Sequence, residues 1–191
     1  MLKKSLFLLL LMPFVWACSK NAFTGRKSLN LLPDATINQM SLAEYRSFLS
    51  ENKTVSSGKD VDLIRRVGND LKLATEVYYR SIGKAADLKS FAWEFNVVDD
   101  PNTVNAFCMP GGKVVVYTGI LKVTQNEDAL AVVMGHEIAH ALAKHGNERM
   151  SQGLVAQVGL SGIDIALAQK SPQARALLMQ AAGAGVQVGA L

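Results

Sequence analysis

Val133-Met134-Gly135-His136-Glu137-Ile138-Ala139-His140 decides how the rest of the chain is read. The stretch contains H-E-x-x-H, and on a helix residues four apart share a face, with Cβ atoms about 5–6 Å apart. Two imidazole nitrogens can then reach one zinc ion at about 2.0–2.1 Å each. Glu137 follows the first of these ligands, so it lies beside the metal without binding it and can take a proton from water there. The surroundings favour a helix. Thr124-Gln125-Asn126-Glu127 reads as a capping box, and Glu127 and Asp128 stand at the positive end of the helix dipole. Leu130, Val133, Met134, Ala141 and Leu142 recur at three- and four-residue spacing, which gives the helix an apolar side. Gly146 occupies the position of a C-terminal cap. The alternative, a solvated face with two incidental histidines, does not account for these apolar flanks.

Upstream, the hydrophobic period changes. Trp93, Phe95 and Val97 alternate with Glu94, Asn96 and Val98, as in a half-buried strand over Phe91 to Val98, and Asp99-Asp100-Pro101-Asn102 ends it. Pro110-Gly111-Gly112 reads as a turn, followed by a β-branched strand from Lys113 to Tyr117. An edge strand beside a metal helix can take an extended peptide by β-augmentation, holding the scissile bond over the metal. A strand paired on both sides is the alternative, because one sequence does not reveal strand pairing. Earlier still, a helix is expected from Pro33-Asp34 to about Ser50, and a second from Lys59 or Asp60, with Ile64, Val67, Leu71, Ala74 and Tyr78 at helical spacing. Both read as scaffold, with a loop at Ser56-Ser57-Gly58.

At 191 residues the chain fits one domain plus a processing segment, and 49% hydrophobic composition suffices for a core. The net charge of +4 is modest, and no basic run is interleaved with aromatics, which argues against a nucleic-acid partner. Two cysteines, Cys18 and Cys108, make no disulfide framework. Met1 to Cys18 has the form of a secretory signal: Lys3 and Lys4, then a short apolar core from Leu6 to Val15. Val15-Trp16-Ala17-Cys18 resembles a bacterial lipobox, in which Cys18 becomes the lipidated first residue of the mature protein and anchors it to a membrane. An ordinary secretory signal or an uncleaved anchor is the alternative. Residues 1–17 are accordingly expected to be a signal peptide, and 18–30 a polar tether. Residues 31–191 form the metal-binding domain. The expected location is a bacterial cell envelope, lipid-anchored in the outer membrane and facing the periplasm.

Asn105-Ala-Phe, Pro110-Gly-Gly, Tyr117-Thr-Gly, His136-Glu-Ile-Ala-His140 and His145-Gly-x-Glu148-Arg149 together resemble the gluzincin metallopeptidase family of the CAAX prenyl proteases and HtpX, above all its periplasmic lipoprotein branch of the BepA and LoiP type. The resemblance covers most of the chain from Leu31 onward. It implies a zincin-like α+β fold, mostly helical, with a small sheet whose edge strand lies beside the H-E-x-x-H helix. It also implies a zinc-dependent endopeptidase acting on unfolded or extended polypeptides in envelope quality control. Carried over by position, His136 and His140 are zinc ligands and Glu137 is the base. Gly111, Gly112, Lys113, Val114, Val115, Val116 and Tyr117 bind substrate.

The family takes its third zinc ligand from a glutamate on a later helix, beyond an apolar helical hairpin. Residues 147–191 resemble that hairpin, broken near Gln169-Lys170-Ser171-Pro172, and the only acidic residues after His140 are Glu148 and Asp164. Neither suits the role, so the chain reads as C-terminally truncated, and the fragment is expected to bind zinc weakly and cleave little. A metzincin pattern fails, because it needs glycine at Ala143 and histidine at Gly146. His145 reads instead as a cation at the helix C-terminus. The alternative function is a non-catalytic envelope chaperone or assembly factor on a peptidase scaffold.

Overall fold

Alternation along three strands sets the layering. A computed structural model describes residues 18–161. The expected signal segment 1–17 and the expected hairpin beyond Ser161 lie outside the described residues. In chain order the elements are β1 (Cys18–Lys20), β2 (Lys27–Leu29), α1 (Asp34–Glu51), β3 (Thr54–Val55) and α2 (Lys59–Ser81), then a 3-10 turn at Ala85–Leu88. β4 (Glu94–Val98), β5 (Ala106–Met109), β6 (Lys113–Tyr117), a short α3 (Leu121–Thr124), α4 (Glu127–Leu142) and α5 (His145–Ser161) follow. The main sheet has the order β3-β4-β6-β5, with β4 and β6 parallel and the other pairs antiparallel. This is the expected α+β architecture.

Odd and even residues of the strands serve two cores. Val97, Ala106, Cys108, Val114 and Val116 pack with Val61, Ile64 and Val67 of α2 and with Leu130, Met134 and Ile138 of α4. Val98, Phe107, Met109, Val115 and Tyr117 pack on the opposite face with Ile37, Tyr45 and Phe48 of α1 and Met150 of α5. Both faces of β6 are therefore covered, which explains its unbroken β-branched run. Two polar groups drawn into these layers are paired. Lys113, almost fully buried, reaches Glu94 at 2.5 Å and the Ala92 carbonyl, and Asn96 Nδ2 donates to the Tyr45 hydroxyl at 2.6 Å.

Two expectations are corrected here. Lys113–Tyr117 is not a free edge. β6 lies between β4 and β5, and its backbone pairs on both sides, so Gly111 to Tyr117 cannot accept an added strand. The edge strand that packs on α4 is β5, the other arm of the same hairpin. Gly111 and Gly112, at φ of +83° and +79°, turn that hairpin, and a Cβ on Gly112 would lie 2.9 Å from the Trp93 ring. Residues 18–30 are not a tether either. β1 and β2 form a hairpin docked on the domain: Asn21 Nδ2 donates to the Leu142 carbonyl at 2.9 Å, and Arg26 pairs with Glu148. The polar composition that reads as a solvated linker is used for these contacts.

The ends of α4 also differ in detail from expectation. Asn126, not Thr124, is the N-cap, and its Oδ1 accepts from the Ala129 N–H at 2.8 Å. Glu127 makes two hydrogen bonds to Arg66, at 2.7 and 3.0 Å, instead of closing a capping box. At the other end the left-handed residue is Lys144 (φ 58°), because α5 begins at His145 and takes Gly146 into its first turn. Among the described residues no helix is long and apolar enough to cross a membrane. Replacing Asn126 with Ala is expected to lower unfolding free energy by about 1 kcal/mol, and replacing it with Asp to change little, measured by urea denaturation.

Candidate metal centre

α4 is held on one side by β5 and on another by α2, and its solvent side carries the reactive groups. Leu130, Met134, Ile138, Ala141 and Leu142 are buried, which turns His136, Glu137 and His140 toward a cleft of about 340 Å³. Nε2 of His136 and Nε2 of His140 lie 3.0 Å apart, with the rings nearly perpendicular at 83°. Two nitrogens bound to one tetrahedral zinc are separated by about 3.3 Å, so the donor pair fits a divalent metal in spacing and in chemistry. Burial holds the His140 ring below the ordinary histidine range, with the neighbouring His136, His145 and Arg149 acting the same way. These effects favour the neutral ring, the form that metal binding requires. Burial likewise raises the Glu137 carboxyl above its usual range, against the pull of His136 and Arg149, and brings it nearer to the pH at which a general base works well.

The site residues expected from the sequence are thus divided. His136, Glu137 and His140 meet on one helix face at the cleft, while of the seven expected substrate residues Gly111 alone lines it. β5 supplies Ala106 and Cys108 to the wall instead. Asn105, directly before β5, also lines the cleft. It is 3% exposed, and its Oδ1 has no hydrogen-bond partner among the described residues. The sequence reading assigned it no role of its own. The available signal was a polar side chain at the head of a wholly apolar strand.

His145 is not a cation at a helix C-terminus. It opens α5, burial and the charges of Arg26 and Arg149 hold it below the ordinary histidine range against the pull of Glu148, and its Nδ1 stands 2.6 Å from Nδ1 of His140. Glu148 is paired with Arg26, and Asp164 lies outside the described residues. Among the described residues no group of three or more His, Cys, Asp or Glu side chains is placed to hold a metal. A two-imidazole set binds weakly. His136→Ala and His140→Ala, each made in the full length that the gene expresses, are expected to lose on dialysis the zinc that the wild type keeps, measured by atomic absorption; retention of stoichiometric zinc by either variant overturns the ligand assignment.

Comparison with known proteins bears on the same residues. The pattern of Peptidase family M48 matches residues 71–190, which include both histidines and Glu137. The chain is 46% identical over 71 residues to the mitochondrial metalloendopeptidase OMA1 of Schizosaccharomyces pombe, covering 37% of this chain and 20% of that protein. It is 30% identical over 131 residues to the mitochondrial metalloendopeptidase OMA1 of Bos taurus, covering 67% and 24%. The beta-barrel assembly-enhancing protease of Yersinia pestis is 36% identical over 90 residues, covering 45% and 18%. The chain thus spans about a quarter or less of the length of these relatives. They also correct the expected location. The stronger matches are to proteins of eukaryotes named as mitochondrial and the bacterial matches are more distant, so a bacterial envelope is not supported. An N-terminal charged and apolar segment is an address whose compartment its own residues do not fix. A family match over well more than half of the residues, centred on the helix that brings the two imidazoles together, has one meaning: the chain belongs to peptidase family M48.

Proposed function

We propose that this chain carries the catalytic helix of a zinc-dependent endopeptidase that cleaves extended segments of polypeptides in protein quality control. The observation that carries the reading is the convergence of His136 and His140 nitrogens, with Glu137 between them, in a cleft walled by the edge strand of the sheet. The metalloendopeptidase names of the relatives support it. His136 and His140 hold the metal through Nε2, and a third protein donor comes from outside residues 18–161. Zinc, when bound, supplies Lewis acidity to the scissile carbonyl and lowers the pKa of water.

The chain's own groups do the rest. Glu137 takes the proton of the attacking water and returns it to the amine nitrogen as the C–N bond breaks, a task suited to a carboxyl raised by burial. Asn105 offers a buried acceptor with no partner among the described residues, and the backbone N–H of an extended peptide is the donor it lacks. Ala106 and Cys108 of β5 line the cleft beside Asn105, so a peptide lying in it runs along this strand.

Glu137→Gln, in the full length that the gene expresses, is expected to leave the circular dichroism spectrum unchanged and to abolish chelator-sensitive cleavage of casein. Undiminished cleavage overturns the assignment, and rescue of a cellular defect by this variant as well as by the wild type favours the chaperone alternative. Asn105→Ala is expected to reduce kcat/KM for peptides about tenfold or more, the scale of one lost hydrogen bond in a buried site.

A further inference from the structure

Of the three histidines, two are accounted for by the metal and one is not. Nδ1 of His145 lies 2.6 Å from Nδ1 of His140, on the side of the His140 ring away from His136, whose Nε2 stands 3.0 Å from His140 Nε2. At 2.6 Å the two Nδ1 atoms are too close to share a metal, which would hold them about 3.3 Å apart. One of them must donate a proton to the other.

We propose that His145 is a positioning residue: its Nδ1 accepts the hydrogen bond from His140 Nδ1–H and thereby leaves His140 Nε2 bare for the metal. The inference rests on the reading of His136 and His140 as metal ligands. Two proton arrangements satisfy the row of three rings. In one, His136 Nε2–H donates to His140 Nε2, and His140 Nδ1–H donates to His145 Nδ1. In the other every donor and acceptor is exchanged. A free neutral imidazole side chain favours the Nε2–H form. The first arrangement leaves His136 and His145 in that form and changes only His140, whereas the second places both outer rings in the disfavoured form.

The backbone is built to deliver His145 to this place. Lys144 takes a left-handed conformation and reverses the chain after α4. The Lys144 ammonium reaches Asp34 at 2.5 Å, Asn21 ties down the Leu142 carbonyl, and Arg26 pins Glu148 one turn into α5. Three polar attachments thus surround one turn whose product is the position of a single ring.

Nitrogen-15 NMR of the full chain at pH 8, without metal, reads the tautomer directly. The wild type is expected to carry the His140 proton on Nδ1, and His145→Ala to shift His140 toward Nε2–H. Cobalt(II) affinity is expected to fall 10–100-fold in the same variant, the loss usual when an outer partner of a ligating histidine is removed. His145→Asn, whose Oδ1 can take the acceptor position, is expected to recover most of both. A wild-type His140 protonated on Nε2, or a His145→Ala protein with unchanged tautomer and unchanged cobalt affinity, overturns the proposal. If the wild type takes up no cobalt while the tautomer still responds to His145, the metal reading fails and the positioning of His140 stands.

Discussion

Two imidazoles one helical turn apart are useful only if their bare nitrogens aim at the same point, and side chains on a freely rotating helix do not do so. Each ring has a rotatable Cβ bond whose freedom must be removed by its surroundings. Here α4 is buried along one side against β5 and α2, which fixes the azimuth of His136 and His140 about the helix axis. The rings then meet at 3.0 Å, and the far side of His140 is occupied by His145. Orientation of the donor pair is thus shared between a core, which sets the direction of the helix, and a turn, which sets the rotation of one ring.

The sheet contributes in the same economical way. β6 is covered on both faces and paired on both edges, so it is the rigid member to which β5 is attached. β5 is short, apolar and terminal in the sheet, and it lies against α4. A metal helix and a strand edge are in this way held at a fixed separation by side chains from both, with Asn105 at the point where the strand begins. The buried thiol of Cys108 faces the same interior, and burial, with the Glu137 charge nearby, raises it far above its ordinary range. It behaves as an apolar filler.

Elements whose side chains report their own surroundings were legible from the residues. The bounds of α1, the start of α2, the hairpin turn at Pro110-Gly111-Gly112, and the apolar side of α4 follow from periodicity and from turn chemistry, which are local. The H-E-x-x-H spacing is local too, and so His136, Glu137 and His140 could be named before any fold was known. What could not be read were relations between distant segments. A run of valines is equally compatible with an edge strand and a central one, and the distinction lies in whether Glu94–Val98 arrives alongside it. Residues 18–30 are polar because they bind other parts of the chain, and composition alone cannot tell that from solvation. His145 sits in sequence at the end of a helix, and only the left-handed turn at Lys144 sends it back toward His140.

The docked N-terminal arm has a consequence for how the molecule comes into being. Asn21 bonds to Leu142, Arg26 to Glu148, Leu31 to Ser151, and Leu32 to Asn147, every one of these pairs more than 110 residues apart in sequence. A ribosome releases the arm more than 110 residues before these partners, so its four long-range hydrogen bonds form only after α4 and the start of α5 have been made. Closure of the arm onto the start of α5 is then a late event of assembly, and the same event locks the turn that carries His145. Until residues 142–151 have been synthesised, the rings of His136 and His140 exist in the nascent chain without the turn that places His145 against them.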